Sequence, residues 1–145
     1  MRILALPAAL SLMILLAACA SDSGEGGGLD VVLDEYSVVT DTDTLPEGPI
    51  KFDIKNDGAI DHELLIVRSD IPGAELPTED DGSFDEDAGG VDVEREIDDL
   101  EPSAETSRSY DLDPGNYVLL CNIVDGETSH YDLGMWTEIT ITAEE

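Results

Sequence analysis

Basic residues are scarce in this 145-residue chain: six lysines and arginines face 35 acidic residues, for a formal net charge of −29 at pH 7. All the acids follow Cys19, where only Lys51, Lys55, Arg68, Arg95 and Arg108 oppose them. That balance excludes nucleic acid and bare anionic lipid surfaces as partners, since both are held through basic footprints. The acids are spread along the chain rather than gathered in one block. Such a spread points to a surface kept soluble in concentrated salt by mutual repulsion. The alternative is an acidic patch that steers a basic partner, a rate effect that salt weakens.

Cysteine and histidine are rarer still, with two of each: Cys19, Cys121, His62 and His130. No Ser/His/Asp-type nucleophile set is discernible, so an enzyme of that kind is excluded. A multi-copper oxidase would need more histidines. No long amphipathic helix is evident. The first 18 residues carry one charge, Arg2, and an apolar run from Ile3 to Ala18. This is a signal-peptide pattern, too short and wrongly flanked for a spanning helix. Leu16-Ala17-Ala18-Cys19 resembles the lipobox of bacterial and archaeal lipoproteins, in which the cysteine is lipidated; the alternative is an ordinary signal peptide with a chance cysteine. Residues 19–28 read as a flexible Gly-rich tether, and residues 29–145 as one domain. If Cys19 is lipidated, Cys121 has no disulfide partner in an oxidising compartment. A metal ligand is one role that suits such a lone thiol.

From Leu29 onward the pattern is β. Val31-Val32-Leu33 opens a strand continuing toward Val38-Val39, and Ile50 to Lys55 alternates apolar and polar residues. Asn56-Asp57-Gly58 is a turn, and His62 to Val67 is the next strand. Glu75 to Glu101 breaks the rhythm, with 13 acids against Arg95. It reads as a long, solvated acidic loop with a short helix or strand near Val91 to Ile97. Crowded acids and glycines there suit calcium, but the EF-hand spacing is not met. Strands resume at Thr106–Leu112, Tyr117–Cys121 and Trp136–Thr142, with a polar loop from Asn122 to Ser129. Six or seven short strands separated by turns imply an antiparallel sandwich or barrel.

Chemistry concentrates near the C-terminus. Cys121 ends an apolar strand, His130 follows after eight residues, and Met135 heads the last strand. A thiolate, an imidazole and a thioether at one strand-to-strand connection form a soft donor set that favours copper. His62, the only other histidine, would complete a trigonal His₂Cys set with a weak axial Met. Taken singly, each residue has a plain structural role: a surface histidine, a core methionine, a small buried cysteine. Trp136, beside Met135, either shields the site from water or is an ordinary indole.

The stretches Leu45-Pro46-Glu47-Gly48-Pro49-Ile50, Asn56-Asp57-Gly58 before Asp61-His62-Glu63-Leu64, Pro114 to Ile123, and His130-Tyr131-Asp132-Leu133-Gly134-Met135 resemble those of cupredoxins, the plastocyanin, halocyanin and sulfocyanin group of blue-copper proteins. The resemblance spans residues 29–145. It implies an all-β, cupredoxin-like Greek-key sandwich or barrel of about seven or eight strands with one long acidic loop. It also implies one copper ion cycling between Cu(I) and Cu(II), with His62, Cys121 and His130 equatorial and Met135 axial. The function implied is electron transfer by a monomer, lipid-anchored through Cys19 outside the cytoplasmic membrane and exchanging electrons with membrane-associated redox proteins. His130, if near the surface, would be the exit for electrons. Two alternatives are a cell-surface copper-binding or delivery protein, and a sandwich that has lost copper and serves as an interaction module. The family usually has a shorter loop, often with Pro-Gly, where this chain has Asn122 to Ser129. Flanking strands fix the ends of that loop, so the longer insert changes the packing of His130 or leaves a looser site.

Overall fold

The computed structural model describes residues 27–143. The leader, Cys19 and most of the tether lie outside the described residues, so the readings placed on them are not addressed by the fold. Among the described residues are eleven strands: β1 (Gly28–Asp34), β2 (Ser37–Thr40), β3 (Thr44–Pro46), β4 (Gly48–Asn56), β5 (His62–Ser69), β6 (Val91–Leu100), β7 (Glu105–Leu112), β8 (Gly115–Leu120), β9 (Val124–Asp125), β10 (Thr128–Ser129) and β11 (Trp136–Thr142). Eight of these have four or more residues, which agrees with the expected seven or eight. One 3₁₀ turn covers Gly73–Glu75. No helix among the described residues is long and apolar enough to cross a membrane.

Two sheets face each other. One has the order β2-β1-β4-β7 and the other β3-β11-β8-β5-β6, with the β9-β10 hairpin standing apart. The chain changes sheet repeatedly, which is the Greek-key connectivity expected. Two pairings, β1 with β4 and β11 with β3, are parallel, so the sheets are mixed rather than purely antiparallel. Between them lies the main core, including Val31, Leu33, Ile50, Phe52, Ile54, Leu64, Ile66, Tyr117 and Leu119. At one side of the sandwich Arg95 of β6 sits over the Tyr110 ring of β7, 5.1 Å from its centroid.

Several local expectations are corrected. The stretch from Val31 to Val39 is a hairpin, not one strand: Asp34 pairs with Ser37 across a two-residue turn, Glu35-Tyr36. The turn lacks the Gly or Asn that usually marks such a bend, which is why the apolar run looked continuous. β1 begins at Gly28, one residue inside the stretch read as tether.

The acidic segment is a long loop over its first half only, residues 76–90. Its second half is β6, a ten-residue strand longer than the Val91 to Ile97 expected. Its first half covers the outer face of the five-stranded sheet. There Leu76 and Phe84 pack with Leu65, Val67, Val118, Leu120 and Tyr131 in a second core. Both faces of β5 and β8 are therefore buried, which explains why Leu64 to Val67 and Tyr117 to Leu120 do not alternate. The carboxylates of the cover face outward while its two large apolar residues face in, a division that average composition hides.

The cover is stitched down by polar contacts. Gly73 donates its N–H to Glu138 (2.7 Å), and its carbonyl accepts the Tyr131 hydroxyl (2.6 Å). The indole of Trp136 lies directly on Gly73: a Cβ there would come within 2.4 Å of the ring. Gly73→Ala should therefore lower stability by about 1–3 kcal/mol through overpacking, read as a lower Tm in thermal denaturation; an unchanged Tm would show that the indole moves aside freely.

Candidate metal centre

The four residues singled out in the sequence come from separate parts of the fold. His62 is the first residue of β5, opposite Leu100 of β6 and beside an irregularity in that pairing. Cys121 directly follows β8. His130 directly follows β10, and Met135 directly precedes β11. Cys121 donates its N–H to the Met135 carbonyl (3.1 Å), continuing the β8–β11 ladder by one step, and Met135 donates its N–H to the His130 carbonyl (3.0 Å).

The expected polar loop between Cys121 and His130 is itself folded. β9 and β10 pair across a turn in which Gly126 takes φ 65°, and the His130 N–H closes the hairpin on the Ile123 carbonyl (2.9 Å). The long insert is thus a small hairpin whose two ends stay together. His130 returns to Cys121 in spite of the extra residues.

Three donor atoms converge. Cys121 Sγ lies 3.4 Å from His130 Nδ1 and 3.8 Å from His62 Nδ1, and the ligand atoms of all three residues fall within 4.8 Å of one another. Bonds of about 2.0 Å to nitrogen and about 2.3 Å to sulfur, at trigonal angles, would place N and S roughly 3.7 Å apart. The observed distances bracket that value, so the three donors fit one first-row ion between them. Both imidazole Nε2 atoms are buried without a hydrogen-bond partner, so neither ring is oriented by a hydrogen bond at its far nitrogen. Met135 is fully buried in the same core cluster as Cys121.

The electrostatics suit metal capture. Burial pushes the pKa of both imidazoles down; for His62 the neighbouring His130 adds to the effect, and for both the Glu35 carboxylate opposes it. The neutral imidazoles needed as ligands are thus favoured. Burial raises the Cys121 thiol, while the backbone N–H groups of Glu63 and Ile123 pull it down. Those two groups are placed to support a thiolate once a cation balances its charge.

Several supporting residues were not singled out in the sequence. Gly58 packs so tightly that a Cβ would come within 3.1 Å of His62 Nε2. Asn56, wholly buried, accepts the Gly58 N–H and donates to the carbonyls of Ile60 and Leu100 (2.8, 2.8 and 2.7 Å), fixing the approach to His62. Asn122 ties the ligand region to the cover: its side chain accepts the Phe84 N–H (2.6 Å) and donates to the Phe84 carbonyl (3.0 Å). The Asn-Asp-Gly turn was the one visible signal among these. Trp136 is partly buried and packs against the second core, on the far side of its sheet from Met135, and does not shield the donor cluster. His130 is not at the surface either: it is 1% exposed.

This arrangement, a Greek-key sandwich of two mixed sheets with a buried His-Cys-His cluster at one end, is the cupredoxin fold. Solved structures agree. The chain superposes on a dithionite-reduced auracyanin of Roseiflexus castenholzii with a TM-score of 0.57 and 20% identity, over 82% of this chain and 99% of the other. Rusticyanin of Thiobacillus ferrooxidans gives a TM-score of 0.53 and 15% identity, over 81% of this chain and 79% of the other. Auracyanin B gives 0.52 and 18%, over 80% and 88%. No family profile and no curated protein matches the sequence.

Next to the ligand cluster, Glu63 accepts the Asn122 N–H (3.0 Å). Burial above all, with the carboxylates of Glu96, Asp98 and Glu86, raises its pKa to about 7 against that hydrogen bond. A carboxyl raised in the folded state contributes stability that is present below its unfolded pKa of about 4.5 and lost as pH rises through about 7. Glu63→Gln should therefore raise the Tm of the metal-free protein at pH 8 and lose that advantage below pH 4.5. An equal effect at both pH values would mean the carboxyl is not strained.

Proposed function

We propose that this chain would hold one copper ion through His62 Nδ1, Cys121 Sγ and His130 Nδ1, with the Met135 thioether as a weaker fourth donor, and that it carries single electrons outside the cytoplasmic membrane. The observation that carries this reading is the buried convergence of one thiol and two imidazoles at trigonal spacing within a cupredoxin fold. Zinc would fit the distances, but a thioether beside a His₂Cys set is the donor pattern of copper. One of the solved rusticyanins of similar fold is described as a copper protein, and the auracyanin was obtained in a dithionite-reduced state.

A bound copper ion would supply a one-electron couple. The chain's part is to hold the donors still. His62 and Cys121 sit at the ends of β5 and β8, which are hydrogen-bonded neighbours in one sheet, so their separation is set by a ladder and not by a flexible loop. His130 is fixed by its hairpin and Met135 by the ladder of β8 and β11. A frame that changes little when the ion's charge changes suits electron carriage. With four protein donors no position is left open for substrate, so the reading is a carrier rather than an enzyme. The signal-type leader and a lipidated Cys19 would keep the domain at the membrane's outer face, near membrane-associated redox proteins and remote from the cytoplasm.

One equivalent of Cu(II) added to residues 22–145 should give an intense blue or green thiolate-to-copper band that bleaches with ascorbate and returns on reoxidation. Cys121→Ser should lose the band altogether. A colourless protein whose Cys121 still reacts as a free thiol would refute the copper reading. Copper that binds but cannot be cycled would favour storage or delivery over electron transfer. Met135→Leu should keep the band and raise the reduction potential, because losing a thioether donor disfavours the more highly charged ion; an unchanged potential would exclude Met135 as a ligand.

A further inference from the structure

The imidazole of His130 is covered by an aromatic ring from a distant part of the chain. Tyr36, in the β1–β2 turn, lies edge-on to it, with ring centroids 5.3 Å apart and planes at 77°. His130 is 1% exposed, whereas Tyr36 is 37% exposed. On its other sides His130 meets Cys121 Sγ at 3.4 Å and the His62 ring at 5.2 Å between centroids, and it lies at the base of a depression lined by Ile60, Asp61, Ile123, Val124 and Asp125. Tyr36 is thus the part of the layer between His130 and solvent that packs directly on the imidazole.

The turn's own chemistry does not account for a tyrosine there. Only two residues span the bend between Asp34 and Ser37, and Tyr36 takes φ 60°. That left-handed conformation favours Gly or Asn and is an outlier for a bulky side chain. Such outliers persist where the surroundings hold them in place. Here the surroundings do: the neighbouring Glu35 accepts the Ala59 N–H, latching the turn to the segment that leads into His62. The hairpin is tied to the metal centre on one side while its aromatic ring closes the other.

We propose that Tyr36 is the solvent cover of one edge of the metal centre: its ring keeps water from the side of His130 on which it packs and is the group that a redox partner approaching that side meets first. Tyr36 acts through the His130 ring, so it is a positioning residue. The second half of the proposal rests on the copper reading; the first half concerns the protein alone.

The test uses the full-length protein in detergent, with the metal removed. Deuterium exchange at the imidazole C2–H, resolved for each histidine by mass spectrometry, reads the exposure of His130 with His62 as internal control. Tyr36→Asn and Tyr36→Gly keep residues that accept the left-handed turn and remove the ring; Tyr36→Phe keeps the ring. Exchange at His130 should become roughly tenfold faster in the Asn and Gly variants, with His62 unchanged and Tyr36→Phe equal to the wild type. Unchanged exchange at His130 would overturn the proposal, and so would equal acceleration at both histidines, which would mean that the domain had opened. In the copper-loaded protein, Tyr36→Asn should lower the reduction potential, because water favours the more highly charged ion, and Tyr36→Phe should restore it. A potential that does not move would overturn the cover. Absence of the visible band from the wild type would instead refute the copper reading and leave the exchange result standing.

Discussion

The metal centre depends on the register of β8 against β11. Leu120 stands opposite Trp136 in that pairing, and the next rung joins Cys121 to Met135 through a backbone hydrogen bond. A slip of one residue would turn every side chain of one strand to the other face. It would carry Cys121 out of the core between the sheets and into the layer under the cover. The register is held because both faces of β8 are apolar but unlike in shape: Tyr117 and Leu119 fill the main core, and Val118 and Leu120 fill the second. Burial of that much apolar surface is the strongest force available to fix a strand. The geometry of the site is thus inherited from hydrophobic packing some distance away.

The second core also explains how an acidic chain keeps such a site rigid. The cover from Asp70 to Gly90 is mostly carboxylates and glycines, a composition that by itself would stay in water. Two buried rings, Phe84 and Tyr131, stand 6.2 Å apart beneath it. Hydrogen bonds from Ser129 to the Gly82 carbonyl (2.8 Å) and between Asn122 and Phe84 fasten it to the ligand hairpin. Backbone polar groups that would otherwise be buried without partners are satisfied in the same contacts. The cover therefore stabilises the connection that carries His130, and two of its acids take part: Glu86 accepts from the Asn122 side-chain amide (3.0 Å) and Asp70 from that of Asn116 (3.0 Å).

Much of this was legible in the sequence. Strict alternation gave β4, and the rarity of histidine and cysteine made the donor set visible: where a chain has two histidines and one unassigned cysteine, their convergence is hard to mistake. What stayed hidden has a common physical cause. The Glu35-Tyr36 bend has no turn residue because its conformation is imposed by contacts with His130 and Ala59, which lie far along the chain. The Asn122 to Ser129 hairpin is held by two short strands too brief to show a period. Glu63 and Asn122 matter through what surrounds them, and Trp136 faces away from the donors because adjacent residues on a strand point to opposite sides.

The surroundings of the donor cluster pull on an ion's charge in opposite directions. Burial of the imidazoles and the thiol disfavours net charge, and so favours Cu(I), whose charge the thiolate cancels. Glu35 and Asp125, both of which raise the pKa of His130, favour the more highly charged ion. The two influences differ in their response to salt. Exposed carboxylates act through water and are screened within about 8 Å at physiological ionic strength and within about 3 Å at 1 M. Desolvation is a property of the dry interior and is not screened. For a chain with a net charge of −29, concentrated salt would silence the surface and leave the interior in control. On the copper reading, the burial of His130 then outweighs the exposed carboxylates in setting the potential.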